Sequence, residues 1–177
     1  YEYSHTKLAT ETFFWHTFCD NYLEIIKDRL YNAEKRSKEA RASAQYGLYH
    51  TLLTIIKLMA PITPFITEEL YQLYYRKHEK SKSIHITSWP SLDLTDADAE
   101  NVGDFFVYVL QHVRRAKSEK SLSLKKPVKK ILAKGKITKA DFEKIKEDLI
   151  ATTNAEEIVF EELNKGSKID YEVVVDI

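Results

Sequence analysis

Apolar residues recur at helical spacing from the first turns of this chain. At about 100° per residue, Leu8, Trp15, Cys19, Tyr22 and Ile26 share one stripe, which Phe14 and Phe18 widen. Thr17, Asp20, Glu24 and Asp28 fall opposite. The pattern predicts a helix over residues 4–30 with one buried face, and Trp15, Phe18, Cys19 and Tyr22 read as core. A second helix is predicted over residues 37–59, with Leu48, Leu52, Ile55, Ile56 and Met59 at helical spacing. Gly47 inside it is expected to admit a close helix crossing, at a cost of about 1 kcal/mol against alanine. Pro61 ends this helix. Thr63-Pro64 then reads as an N-cap followed by proline at the first helical position. The third helix, reaching residue 77, is expected to turn Phe65, Leu70, Leu73 and Tyr74 inward.

Residues 79–95 break the periodicity, and Ser83-Ile84-His85-Ile86-Thr87-Ser88-Trp89-Pro90 reads as a short extended segment with a turn. Thr95-Asp96-Ala97-Asp98 signals a fourth helix start. Val102, Phe105, Phe106, Val109, Leu110 and Val113 give that helix its apolar stripe, and its end is basic, as suits the helix dipole. The last third changes character. It predicts strands over 128–133, 157–163 and 169–175, a helix from Thr138 to residue 150, and a turn at Asn164-Lys165-Gly166-Ser167. The fold class is therefore mainly α: an antiparallel helical bundle over residues 1–120, with an extended connector at 79–96. A small α+β unit is expected over 121–177.

Composition narrows this reading. Four glycines and four prolines in 177 residues are few for a many-turned β architecture. Cys19 is the only cysteine, so an internal disulfide and a cysteine-clustered zinc site are excluded, and a reduced, cytoplasmic setting fits. No apolar run approaches the roughly 20 residues that a membrane span needs. The chain opens inside a helical pattern, which suggests an excised fragment. Its formal net charge is +0, yet the charge is segregated. Residues 112–136 carry two arginines and eight lysines against Glu119 alone, whereas residues 140–177 carry eleven acids and four lysines. Such a basic segment can bind a polyanion locally.

Four stretches carry a resemblance. Phe13-Phe14-Trp15-His16-Thr17-Phe18-Cys19-Asp20-Asn21-Tyr22-Leu23-Glu24 resembles the aromatic helix in the anticodon-binding region of class I valyl-tRNA synthetases. Leu58-Met59-Ala60-Pro61-Ile62-Thr63-Pro64-Phe65-Ile66-Thr67-Glu68-Glu69-Leu70 is similar to a segment shared by the synthetases for valine, isoleucine and leucine. The stretch from Ser83 to Pro90 and the helix end Arg114-Arg115-Ala116-Lys117-Ser118-Glu119-Lys120 follow in the family's order. The H-I-G-H and K-M-S-K-S signatures of the activation site are absent. Lys80-Ser81-Lys82-Ser83 is only superficially similar to the second. The resemblance implies a noncatalytic fragment that binds the anticodon arm of valine tRNA. The parent enzyme would use ATP with Mg, and the remainder of the synthetase would be the second partner.

An anticodon loop offers unstacked bases and phosphates, which proteins meet with stacking surfaces and cations. Two groups of cations are expected to flank it. Lys35, Arg36, Lys38 and Arg41 surround the first interhelical turn. Arg114, Arg115, Lys117, Lys120, Lys125 and Lys126 form the denser group. His16 with Asp20 reads as a surface pair, and Tyr46 with His50 as core packing. No Ser/His/Asp, paired-carboxylate or metal-ligand arrangement stands out, so no catalytic residue, metal or cofactor is expected in this chain. Two other readings compete. One is the equivalent domain of an isoleucyl- or leucyl-tRNA synthetase, and the other is a helical protein-interaction module.

Overall fold

The computed structural model describes residues 2–32, 34–91, 95–164 and 166–177. The chain divides into two compact units, Tyr1–Asp93 and Leu94–Ile177.

The first unit is helical. Helix α1 runs through Tyr3–Thr12, a π-helical stretch Phe13–Tyr22, and Leu23–Tyr31. Helix α2 is Lys38–Met59 and packs against both ends of α1, so the two form an antiparallel pair. Ser37 caps α2 by accepting the Ala40 N–H at 3.0 Å. Helix α3 is Pro64–Leu70 and continues as a π-helical turn over Tyr71–Tyr75. Pro64 takes the first helical position, but Thr63 does not cap through its side chain; its hydroxyl donates back to Met59 O at 3.3 Å.

The π stretch corrects the expected face of α1. Its hydrogen bonds reach five residues back, as Leu23 N–H to Phe18 O does, so each turn holds more than 3.6 residues. Residues four apart then line up. Thr10, Phe18 and Ile26 are buried, and Phe14 and Tyr22 are half-buried on the same line. Phe14, Phe18 and Tyr22 stack successively, with ring centroids 6.1 and 5.7 Å apart. Leu8 and Trp15, expected to face inward, are exposed, Trp15 by 58%. Gly47 does admit the close crossing: a Cβ there would overlap the Tyr22 hydroxyl and lie 3.3 Å from Cζ.

A similar correction applies to α3. Phe65, Leu73 and Tyr74 are exposed, Phe65 by 90%, while Thr67, Tyr71 and Tyr75 are buried. Tyr71 and Tyr75 join Leu53, Ile56, Ala60 and Ile84 in the core. The tyrosines can be buried because their hydroxyls find acceptors, Ser81 O at 2.9 Å and Tyr49 O at 3.5 Å. The expected extended segment is instead a single 3-10 turn, Ile84–Ile86. Glu68 takes the Ile84 N–H that a neighbouring strand would have used. Tyr46 and His50 contact each other with ring centroids 4.2 Å apart, but both are exposed rather than core.

The second unit begins with helix α4, Ala97–Glu119, capped by Asp96, which accepts the Ala99 N–H at 3.0 Å. Phe105, Phe106, Val109, Leu110 and Val113 are buried as the spacing requires. Strand β1 is Val128–Gly135, helix α5 is Lys139–Thr153, β2 is Ala155–Glu162 and β3 is Tyr171–Asp176. The sheet order is β2-β1-β3, with β1 parallel to β2 and antiparallel to β3. Helix α4 packs on α5 and β3, so the division falls at residues 93 and 94 rather than at 120. The reason is its stripe: Phe105 meets Phe142, Phe160 and Tyr171 edge-on, at 5.5 to 6.4 Å between centroids. Of the predicted turn, Lys165 lies outside the described residues.

Candidate nucleic-acid interface

The first cationic group surrounds the turn between α1 and α2. The turn is built by Lys35 N–H and Arg36 N–H, which both donate to Asn32 O, at 2.9 and 3.1 Å. Lys35, Lys38 and Arg41 are exposed. Arg36 differs: its side chain is only 9% exposed and pairs with Asp28 at 3.4 Å. It therefore ties the turn to α1 and gives little surface to a ligand. His16 and Asp20 form the expected exposed pair, 3.5 Å apart.

The second group shows how the segregated charges are sorted. Lys130 of β1 meets Glu157 of β2 at 3.0 Å, and Lys134 meets Glu172 of β3 at 3.1 Å and Glu161 at 3.6 Å. Lys136 pairs with Asp170 at 2.8 Å. Period-two alternation places Lys130 and Lys134 on one sheet face, opposite acids of both neighbouring strands. The acidic tail thus neutralises Lys130 and Lys134 of the strand, and Lys136 just past it. Arg115 pairs with Glu119 on the same helix at 2.9 Å, and Arg114 is half-buried.

Lys120, Lys125, Lys126 and Lys129 remain exposed, with no acidic partner among the described residues. Lys120, Lys125 and Lys126 lie on the segment from α4 to β1, and Lys129 is the second residue of β1. Lys129 is an addition to the cations expected from the sequence; strict alternation would put it on the buried face with Ile131 and Ala133, so the strand pattern does not mark it as exposed.

Lys117 is the clear correction. It is 1% exposed, and its ammonium donates to Leu124 O at 2.8 Å and Thr153 O at 3.0 Å. Burial lowers its pKa from the ordinary lysine range. It cannot touch a phosphate outside the protein.

One other surface does not suit a polyanion. A groove of about 340 Å³ between α1, α2 and α3 is lined by Phe14, Trp15, Ile55, Met59, Ile66 and Leu70, with Glu11 its only charged member. The Lys80-Ser81-Lys82-Ser83 segment is tied to α3. Its Ser81 and Lys82 carbonyls accept from Tyr71 and Gln72, and the Ser83 hydroxyl donates to the Glu68 carboxylate at 2.8 Å. Among the described residues, no three His, Cys, Asp or Glu side chains could hold a metal ion. No helix among them is long and apolar enough to cross a membrane.

The family model for the anticodon-binding domain of tRNA ligase covers residues 1–132, and the chain belongs to that family. Among curated relatives, the valine–tRNA ligase of Rickettsia rickettsii (strain Sheila Smith) is 39% identical, over 99% of this chain and 21% of that protein. That of Rickettsia felis is 40% identical, over 99% of this chain and 20% of that protein. The chain thus spans about a fifth of the length of the curated relatives it matches.

Proposed function

We propose that the chain grips the anticodon arm of a valine-accepting tRNA, as the noncatalytic part of a valine–tRNA ligase. The observation that carries this reading is the sorting of charge in the second unit. Acids in and beside the sheet cancel Lys130, Lys134 and Lys136, while Lys120, Lys125 and Lys126 stay exposed between α4 and β1, and Lys129 at the start of β1. Uncancelled cations in one place repel one another and gain most from a phosphate backbone. Lys35, Lys38 and Arg41 form a second contact, and Arg114 and Arg115 extend the first. The family and the valine–tRNA ligase relatives support the same direction.

In the whole enzyme, the catalytic part would activate valine with ATP and Mg and esterify the tRNA 3′ end. This chain's share is binding energy that orients a distant reaction. The reading carries a cytoplasmic location and the remainder of the synthetase as a second partner. The test is footprinting of valine tRNA by the folded chain, with isoleucine and leucine tRNA transcripts and an unrelated RNA beside it. Protection of the anticodon arm supports the reading. An unprotected arm at low salt overturns it.

A further inference from the structure

The loop that carries the lysines is held with unusual thoroughness. It leaves α4 through a Schellman turn: Leu122 N–H donates to Lys117 O at 2.8 Å and Ser121 N–H to Ser118 O at 2.9 Å. Ser121 takes the left-handed conformation, φ 54°, that such a turn demands. Past it, the Lys117 ammonium bridges Leu124 O in the loop and Thr153 O in the last turn of α5. Asn154, also left-handed at φ 58°, caps α5 and donates its side-chain amide to Lys125 O at 2.8 Å. Its own carbonyl accepts the Val128 N–H at 2.9 Å, where β1 begins.

We infer that Lys117 and Asn154 are positioning residues that clamp the 120–127 loop to the C-terminal end of α5, so that Lys120, Lys125 and Lys126 meet an RNA backbone already in place. This rests on the tRNA reading above and goes beyond it, because it gives Lys117 and Asn154 a part in binding through the loop they hold rather than through a contact of their own with RNA. Leu124 and Lys125 are the adjacent residues whose carbonyls are seized, one by each clamp. Lys125 and Lys126 therefore project from a backbone that cannot rotate freely. A loose loop would have to be ordered on binding, at a cost in affinity. Lys117 also places a cation on an orphan carbonyl at the negative end of the α5 dipole, which stabilises the clamp itself.

The test uses the 177-residue chain and an anticodon stem-loop RNA of valine tRNA. Asn154→Gly keeps the left-handed backbone without strain and removes only the side-chain amide. Lys117→Met keeps length and removes the ammonium. Measurements are RNA affinity across salt, melting temperature, and amide hydrogen exchange at Leu122, Lys126 and Val128. For Asn154→Gly we expect faster loop exchange, an unchanged or higher melting temperature, and on the order of threefold to tenfold weaker binding. The salt slope should stay that of the unaltered chain, because every surface cation is retained. A merely structural Asn154 would lower the melting temperature and leave affinity alone. Affinity within twofold of the unaltered chain in Asn154→Gly, with the loop exchanging faster, overturns the clamp even if Lys117→Met fails to fold. If the unaltered chain does not bind the stem-loop, the tRNA reading falls, and the clamp's role falls with it. If it binds and Lys125→Ala with Lys126→Ala weakens it while Asn154→Gly does not, only the clamp falls.

Discussion

The carboxylate of Glu68 accepts the backbone N–H of Ile84 at 2.9 Å, joining α3 to a turn sixteen residues further along the chain. The same carboxylate takes the Ser83 hydroxyl at 2.8 Å and the Gln72 amide at 2.6 Å. One side chain thus holds the 3-10 turn that stands where the Ser83 to Pro90 pattern suggested an extended segment. Glu68→Gln turns an amide donor toward groups that already donate. We expect a loss of about 1–3 kcal/mol in chemical denaturation, and faster exchange at Ile84.

Acid should act on the same link. Burial alone would raise the Glu68 pKa, but the hydrogen bonds from Gln72, Ser83 and Ile84 N–H, with His85 nearby, outweigh it and hold the value below the ordinary 4.5. A depressed carboxylate contributes stability that is fully present above 4.5 and is lost as pH falls through the folded value. Amide exchange at Ile84, corrected for intrinsic rates, should therefore rise on acidification below that point. In Glu68→Gln this component should vanish.

Gly47 sits where any side chain would meet the Tyr22 hydroxyl. Gly47→Ala sets a helix-propensity gain of about 1 kcal/mol against an overpacking cost of about 1–3 kcal/mol. We expect the single variant to be neutral or destabilised. Adding Tyr22→Phe should restore most of the loss, since the hydroxyl is the overlapping atom. Additive effects in a double-mutant cycle would argue against this contact.

Ser121 holds a left-handed conformation that glycine adopts freely. Ser121→Gly should stabilise the second unit by about 0.5–1 kcal/mol, after allowing for glycine's greater freedom when unfolded. Thermal melting would register the gain, and a lower melting temperature would contradict it.

Charge reversal at Lys125 and Lys126 should weaken tRNA binding and flatten its salt dependence, by about 0.7–0.9 in log–log slope for each phosphate left without its cation. Reversal at Lys130, already held by Glu157, should alter binding far less. Equal effects at both sites would remove the distinction between cancelled and uncancelled lysines.

Much of this is legible in the sequence. The stripe of α4 obeys the ordinary helical period, and Phe105, Phe106, Val109, Leu110 and Val113 are all buried. The face of α1 departs from expectation at Leu8 and Trp15 because a π-helical stretch changes the period, and no residue type announces one. The burial of Tyr71 and Tyr75 is hidden because a tyrosine enters a core only when its hydroxyl has an acceptor, and those acceptors lie on distant segments. Lys117 looks like surface because it stands in a basic run. It lies four residues after Val113 on the buried stripe, and that spacing is the available warning. Ion pairs across the sheet depend on register, so the split between cancelled and available lysines cannot be read along the chain.

The pairing of β1 with acids on both flanks makes the tail an internal counter-ion for the strand. A version shortened to end at α5 would leave Lys130 and Lys134 without Glu157, Glu161 and Glu172. It would stick to heparin, DNA and any RNA alike, and an apparent gain in avidity from such trimming would signal lost discrimination rather than a minimal binding core.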